Sequence, residues 1–336
     1  MPVSVVLLSP GAANTSQLKH LTEALARMKG CSTGDPEISF RHVDADLEVD
    51  QLVEHCQGAI ALLVHARSAS LIGMAQRLPD LQLVQTFTAG TDWLDVQGLA
   101  DAGVKVADNG GANAIAVAEI AIALMVSVFH RLDQQFASVQ AGAWGSQVPG
   151  SGADMMTLEG KRVGLVGLGR IGSRVAKRLA GWECDLVFYD NASLDPNYIN
   201  ATGALQVSFD ELLQTSDIVS LHVPLNRLTR HLVSDHELGL MQSESVLINT
   251  CRGAVVDEAA LIRVLQGGGI TGAGLDVTDP EPIAADNPLL QMDRVVITPH
   301  FAARARQSGA HGTHNILSNL LRLAGGEELL HIVEPV

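Results

Sequence analysis

Val163-Gly164-Leu165-Val166, followed by Gly167-Leu168-Gly169-Arg170-Ile171-Gly172, is a β-rich run that turns through glycines into a helical pattern reaching Leu179. In such a turn each glycine has its own task. Gly167 permits the tight bend, Gly169 lets backbone approach a pyrophosphate, and Gly172 lets helix and strand pack closely. The first turn of the helix then offers unpaired N–H groups and a positive dipole end to phosphate oxygens. A glycine-rich turn between strand and helix is common, so the weight lies in its context. The next run, Leu186-Val187-Phe188-Tyr189, ends in Asp190, 23 positions beyond Gly167. A carboxylate there accepts hydrogen bonds from both ribose hydroxyls and repels a 2′-phosphate, so the expected cofactor is NAD rather than NADP.

The alternation of strand and helix continues in both directions. Arg162–Gly167 and Asp185–Asp190 are followed by predicted strands at Ile218–His222, Ser245–Asn249, Gly272–Asp276 and Val295–Thr298. Upstream, strands are predicted at Val3–Leu8, Ile38–Val43, Ala59–Val64, Leu81–Thr86 and Val104–Ala107, with helices at Asn14–Met28 and Leu47–Cys56. Strands alternating with helices form parallel sheets covered on both faces, so the expected class is α/β. A long apolar helix from Ala114 to Arg131 joins the two series. The Gly/Ser/Pro-rich stretch Gly142–Gly152 reads as a surface loop, and the chain after Phe301 as helical.

The 336 residues suffice for two cores, and a chain 47% hydrophobic and 18% charged is globular. A net charge of −15 excludes nucleic acid and an anionic membrane surface as partners, since both would be repelled. The longest apolar run, Val117–Phe129, is too short for a membrane span and carries Glu119. The N-terminus has no signal-peptide pattern, and Cys31, Cys56, Cys184 and Cys251 lack metal-ligand spacing. Reduced thiols in a cytoplasmic protein are expected. His311 and His314 share a helix face without a third ligand, so no metal site is expected.

Reduction of a 2-oxo acid needs a cation to hold the carboxylate and polarise the carbonyl, an acid to protonate the alkoxide, and a group that keeps this acid protonated. Arg252 offers a planar fork that matches a carboxylate. His300 titrates in the useful range, and Glu281 paired with it would favour imidazolium. Each follows a predicted strand, where a doubly wound sheet places its ligands. Plainer readings stand beside these: Arg252 as a strand-end cap, His300 as a satisfied loop histidine, and Glu281, between Pro280 and Pro282, as a solvated charge.

The segments Asn249-Thr250-Cys251-Arg252-Gly253 with Val256-Asp257-Glu258, Gly274-Leu275-Asp276-Val277 with Pro280-Glu281-Pro282, and Thr298-Pro299-His300 resemble the D-2-hydroxyacid dehydrogenase family, as do Val117-Ala118-Glu119 and His222-Val223-Pro224-Leu225. They follow the family's order and spacing over most of residues 85 to 303. The resemblance implies a catalytic trio of Arg252, Glu281 and His300. It implies NAD contacts from Gly167, Gly169, Arg170, Ile171, Gly172, Asp190, His222, Val223, Pro224, Thr250, Cys251, Arg252, Asp276 and His300, and from the backbone at Ala302 and Ala303. It also implies that Ala89, Gly90 and Thr91 bind the substrate carboxylate together with Arg252 and His300. In that family a Rossmann NAD-binding domain is inserted into a flavodoxin-like substrate domain. Here these would be residues 114–301 and residues 1–113 with 302–336, with crossovers at Asn113 and at His300-Phe301.

Several positions depart from the family pattern. Phe301-Ala302-Ala303-Arg304 stands where a glycine-rich turn is usual, Trp93 where a smaller or polar residue is, and Asn226 where Thr is more usual. They leave open which small 2-oxo or 2-hydroxy acid is used. Arg67 lies near an arginine of the family's phosphoglycerate members, although a lone arginine in a loop is usually solvated. A phosphoglycerate dehydrogenase is the alternative enzyme. A non-enzymatic NADH-sensing protein on the same scaffold is the alternative of another class. Formate dehydrogenases carry Gln where Glu281 stands. The helix Ala114–Arg131 is apolar off its core face as well, at Ala118, Ile122, Met125 and Phe129, so a homodimer joined through it is expected.

Overall fold

The computed structural model describes residues 3–11, 15–29, 37–65, 71–145 and 155–335. Asn14, Cys31, Arg67 and the later part of the Gly142–Gly152 stretch lie outside them. The chain divides into two compact units, Met1–Asn113 with Arg306–Val336, and Ala114–Ala305.

The first unit runs β1 (Val3–Ser9), α1 (Thr15–Lys29), β2 (Ile38–Asp44), α2 (Val49–Cys56), β3 (Ala61–Val64), α3 (Leu71–Ala75), β4 (Leu83–Thr86), α4 (Val96–Asp101) and β5 (Lys105–Ala107). The strands form one parallel sheet in the order β2-β1-β3-β4-β5. β3 and β4 are buried along their whole length. β3 is accordingly an unbroken apolar run, whereas β4 ends in Gln85 and Thr86, and the buried Gln85 amide donates to the carbonyls of Ala107 and Asp108.

The second unit runs α5 (Ala114–His130), α6 (Leu132–Gln140), β6 (Arg162–Val166), α7 (Gly172–Leu179), β7 (Asp185–Tyr189), α8 (Pro196–Asn200), β8 (Leu205–Gln206), α9 (Phe209–Thr215), β9 (Ile218–Leu221), α10 (Asp235–Leu240), β10 (Val246–Asn249), α11 (Glu258–Gln266), β11 (Gly272–Leu275) and β12 (Val295–Ile297). Its parallel sheet has the order β12-β11-β10-β9-β6-β7-β8. The chain starts in the middle at β6, winds outward to β8, then returns to β9 and winds the other way. That reversal between β6 and β9 is the switch point of a Rossmann sheet. The last helix, α12 (Arg306–Gly325), belongs to the first unit. The tail beyond it is not helical, and Ile332 bridges antiparallel to Ala107.

Two features differ from the sequence reading. The off-face residues of α5, Ala118, Ile122, Met125 and Phe129, are covered by the chain's own β6–β12 sheet and α7 and need no partner. What α5 leaves exposed is the narrow stripe Ile115, Glu119 and Ala123. Second, the chain does not pass directly from that helix into a loop. Arg131, at φ +53°, starts a bend of 69° into α6, a helix with no buried side chain. No single helix among the described residues is long and apolar enough to cross a membrane.

Candidate active site

All strands of the second sheet are parallel, so their C-terminal ends share one edge. Gly167 follows β6, Asp190 follows β7, and His222 follows β9. Thr250, Cys251 and Arg252 follow β10, Asp276 to Glu281 follow β11, and His300 follows β12. The predicted residues of this unit therefore converge on the edge where such folds bind ligands.

The glycine-rich turn is built as its sequence requires. Gly167 has φ +95°, and a Cβ there would lie 2.6 Å from the His222 carbonyl oxygen. A Cβ at Gly172 would lie 2.1 Å from the Gly167 oxygen, so helix and strand touch through missing side chains. At Gly169 a Cβ would meet nothing within 4 Å: the backbone is bare and open. Asp190 accepts from the N–H groups of Leu168 at 2.8 Å and Ala192 at 2.9 Å, and with about four lone-pair sites it retains acceptor capacity for ribose hydroxyls.

His222 is buried, and desolvation pushes its pKa down to about 4, so the ring is neutral at ordinary pH. Its Nε2 meets Ser220 Oγ at 3.0 Å. Its Nδ1 and Thr250 Oγ1 are buried and have no hydrogen-bond partner among the described residues. An unsatisfied buried polar atom costs about 1–3 kcal/mol, which a ligand lying here would recover. Bare glycine backbone, a carboxylate with spare capacity and two orphaned polar atoms along one edge fit a dinucleotide. Cys251 is also buried. Desolvation pushes its thiol up to about 11, and Sγ lies 3.1 Å from Asn249 Oδ1, so it carries no thiolate chemistry.

His300 Nδ1 and Glu281 Oε2 are 2.7 Å apart, with side chains 42% and 36% exposed. The pair is open to a small reactant, and Nε2 is the ring nitrogen left to face it. Glu281 Oε1 accepts from the Thr278 N–H at 3.3 Å. His300 sits at φ +56°, in the left-handed region that costs a non-glycine residue of order 1 kcal/mol or more. Its N–H donates to the Asp276 carbonyl at 2.8 Å. The Asp276 carboxylate accepts from Thr298 Oγ1 at 2.6 Å, Phe301 N at 3.0 Å and Ala302 N at 2.9 Å. Asp276 thus braces the histidine turn, a role the sequence reading missed. The N–H of Ala302, expected to reach the cofactor, points to Asp276 instead; that of Ala303 makes no such bond.

Arg252 is half-buried, and its Nη1 donates to the Cys251 carbonyl at 2.8 Å. The Asn249 amide holds the Arg252 carbonyl at 2.9 Å. A Cβ at Gly253 would lie 2.0 Å from the Thr278 oxygen, so the glycine after Arg252 seats its loop against the one that carries Glu281.

In the first unit, Ala89, Gly90 and Thr91 lie in the half-buried loop after β4. Thr88 Oγ1 donates to the Gly90 carbonyl at 2.8 Å and Trp93 Nε1 to the same oxygen at 3.2 Å. The loop is held through its carbonyl side, and among the described residues no hydrogen bond engages the N–H groups of Ala89, Gly90 or Thr91. Trp93, noted as a departure, is one of its braces.

A family model described as "D-isomer specific 2-hydroxyacid dehydrogenase, NAD binding domain" matches residues 122–302. The chain is 33% identical over 277 residues to a glyoxylate reductase of Korarchaeum cryptofilum, covering 82% of each protein. It is 35% identical over 257 residues to a glyoxylate reductase of Thermococcus litoralis, covering 76% of this chain and 77% of that one. A D-3-phosphoglycerate dehydrogenase of Archaeoglobus fulgidus is 32% identical over 284 residues, which cover 84% of this chain but 53% of the longer relative. Among solved structures, holo D-mandelate dehydrogenase of Rhodotorula graminis superposes with a TM-score of 0.83 at 28% identity, covering 100% of this chain and 99% of that one. The chain belongs to the D-isomer specific 2-hydroxyacid dehydrogenase family and is an NAD-dependent oxidoreductase of that family.

Proposed function

We propose that the protein reduces a small 2-oxo acid of the glyoxylate or hydroxypyruvate kind to its D-2-hydroxy acid, with Arg252, Glu281 and His300 as the acting residues. The observation that carries this reading is the 2.7 Å His300–Glu281 pair on the edge where Arg252 also emerges. Bound NADH supplies the hydride. Arg252 draws charge toward the carbonyl oxygen and grips the carboxylate. His300, oriented by Glu281, delivers the proton to the forming alkoxide.

The test is NADH oxidation with glyoxylate, hydroxypyruvate, pyruvate, phenylpyruvate and phosphohydroxypyruvate. Turnover with glyoxylate or hydroxypyruvate is expected. Preference for phosphohydroxypyruvate would move the protein to the phosphoglycerate type. Tight NADH binding without turnover of any 2-oxo acid would make it a sensor.

The cofactor preference is NADH over NADPH, since Asp190 would face a 2′-phosphate with like charge. Asp190→Ala is expected to narrow the difference in kcat/KM between the cofactors by about 1–3 kcal/mol. It should also weaken both, because Asp190 holds the Leu168 amide. Equal efficiency of the parent with NADPH would refute the assignment.

A homodimer is the proposed assembly. Its support is an exposed apolar group on and after α6, Phe136 at 65%, Val139 at 50% and Trp144 at 77% exposure. Sedimentation at micromolar concentration should give twice the chain mass, and a monomer would remove the proposal. The unpaired thiols Cys56, Cys184 and Cys251 suit a cytoplasmic setting, which cell fractionation tests.

A further inference from the structure

We propose that Tyr198 is a positioning residue for the cofactor's pyrophosphate, acting through the backbone of the glycine-rich turn; this rests on NAD binding at that turn. The Tyr198 hydroxyl lies 3.0 Å from the Leu168 carbonyl oxygen and 3.0 Å from that of Gly169, and its single proton is shared between them. Peptide planarity makes this consequential. In a trans peptide the N–H points opposite to the carbonyl of the same plane. Fixing the Leu168 carbonyl therefore aims the Gly169 N–H, and fixing the Gly169 carbonyl aims the Arg170 N–H. These amides lie where the backbone is bare and open.

Gly169 needs such a hold because a glycine has no side chain to restrict its φ and ψ. The Gly169 oxygen is also held by Ser173, from Oγ at 2.8 Å and N at 3.1 Å. On the other side of the turn, Asp190 fixes the Leu168 N–H at 2.8 Å. Tyr198 and Asp190 thus grip the Leu168 residue by its two backbone groups from opposite ends. Tyr198 is itself placed by α8, whose first turn is capped by Asp195 accepting from Asn197 N at 2.7 Å and Tyr198 N at 3.2 Å, with Pro196 at the first helical position. The ring is half-buried and packs against the core of its unit, so the test removes the hydroxyl alone.

The test is Tyr198→Phe, which keeps the ring and removes the donor. NADH Kd and KM should rise roughly 3- to 10-fold, the worth of one neutral hydrogen-bond donor, with kcat at saturating NADH and KM for the 2-oxo acid unchanged. The inhibition constant of ADP-ribose, which carries the pyrophosphate, should rise by the same factor. That of adenosine, which carries no phosphate, should stay at the parent value. Asp195→Ala, which loosens the helix bearing Tyr198, should give the same split in weaker form and covers the case of a poorly folding Phe variant. Unchanged NADH affinity in the variant that folds would overturn the proposal. So would an adenosine constant that rises in step with that of ADP-ribose, since Tyr198 would then act on the nucleoside or on the whole site.

Discussion

His300→Ala should lower kcat by roughly 10²–10⁴-fold, the usual worth of a positioned general acid. The prediction rests on geometry. His300 ends the turn after β12 with its ring oriented by the 2.7 Å contact of Nδ1 with Glu281. Its backbone is held in the left-handed region by the buried Asp276, through the His300 N–H, Phe301 N–H and Ala302 N–H. A fold that spends one buried carboxylate and an unfavourable φ on one exposed histidine makes that histidine's direction its product. Alanine relieves no packing, because the ring is exposed, so Tm should change little while turnover collapses. Steady-state rates at saturating NADH and 2-oxo acid check this. Parent-like kcat in a folded His300→Ala variant would remove histidine from the mechanism.

Arg252→Lys is the second large effect. Lysine keeps the charge and loses the planar fork, so one of two parallel charge-assisted hydrogen bonds to a carboxylate goes. A hydrogen bond of that kind is worth about 1.5–3 kcal/mol, so kcat/KM should fall roughly 10- to 150-fold. The fall should divide between a raised KM, from the weaker carboxylate grip, and a lowered kcat, from weaker polarisation of the carbonyl. KM for NADH should move less than KM for the 2-oxo acid. A drop confined to NADH binding would instead make Arg252 a cofactor ligand.

Much of this was legible in the sequence. Gly167, Gly169 and Gly172 with Asp190 marked the switch-point strand because their spacing reports steric facts, and the structure meets them as close contacts at Gly167 and Gly172 and open space at Gly169. The placement of Arg252, Glu281 and His300 was legible because each follows an apolar run that became a strand, buried throughout at Val246–Asn249 and Gly272–Leu275 and in part at Val295–Ile297. What was not legible depends on tertiary partners. Asp276 looks like any acid at a strand end; only the fold shows it bonded to Thr298, Phe301 and Ala302. Tyr198 sits in a short helix whose sequence says nothing of Leu168, 30 positions away. The helix Leu132–Gln140 buries no side chain, so it has no core-facing period to announce it, and the two-residue strand Leu205–Gln206 is too short for any period. The apolar faces of Ala114–His130 pointed to a partner chain because a sequence does not distinguish burial by a subunit from burial by the chain's own sheet.

A double-variant cycle in kcat tests the central claim that Glu281 acts through His300. Glu281 Oε2 lies 2.7 Å from His300 Nδ1 and fixes the direction of the ring. Glu281→Gln keeps the size and loses the charge, so kcat should fall roughly 10- to 150-fold, the worth of about 1.5–3 kcal/mol for a hydrogen bond to a charged group. In a His300→Ala background the same substitution should lower kcat no further, since its route to the reaction has gone. Losses that multiply in the double variant would contradict the claim.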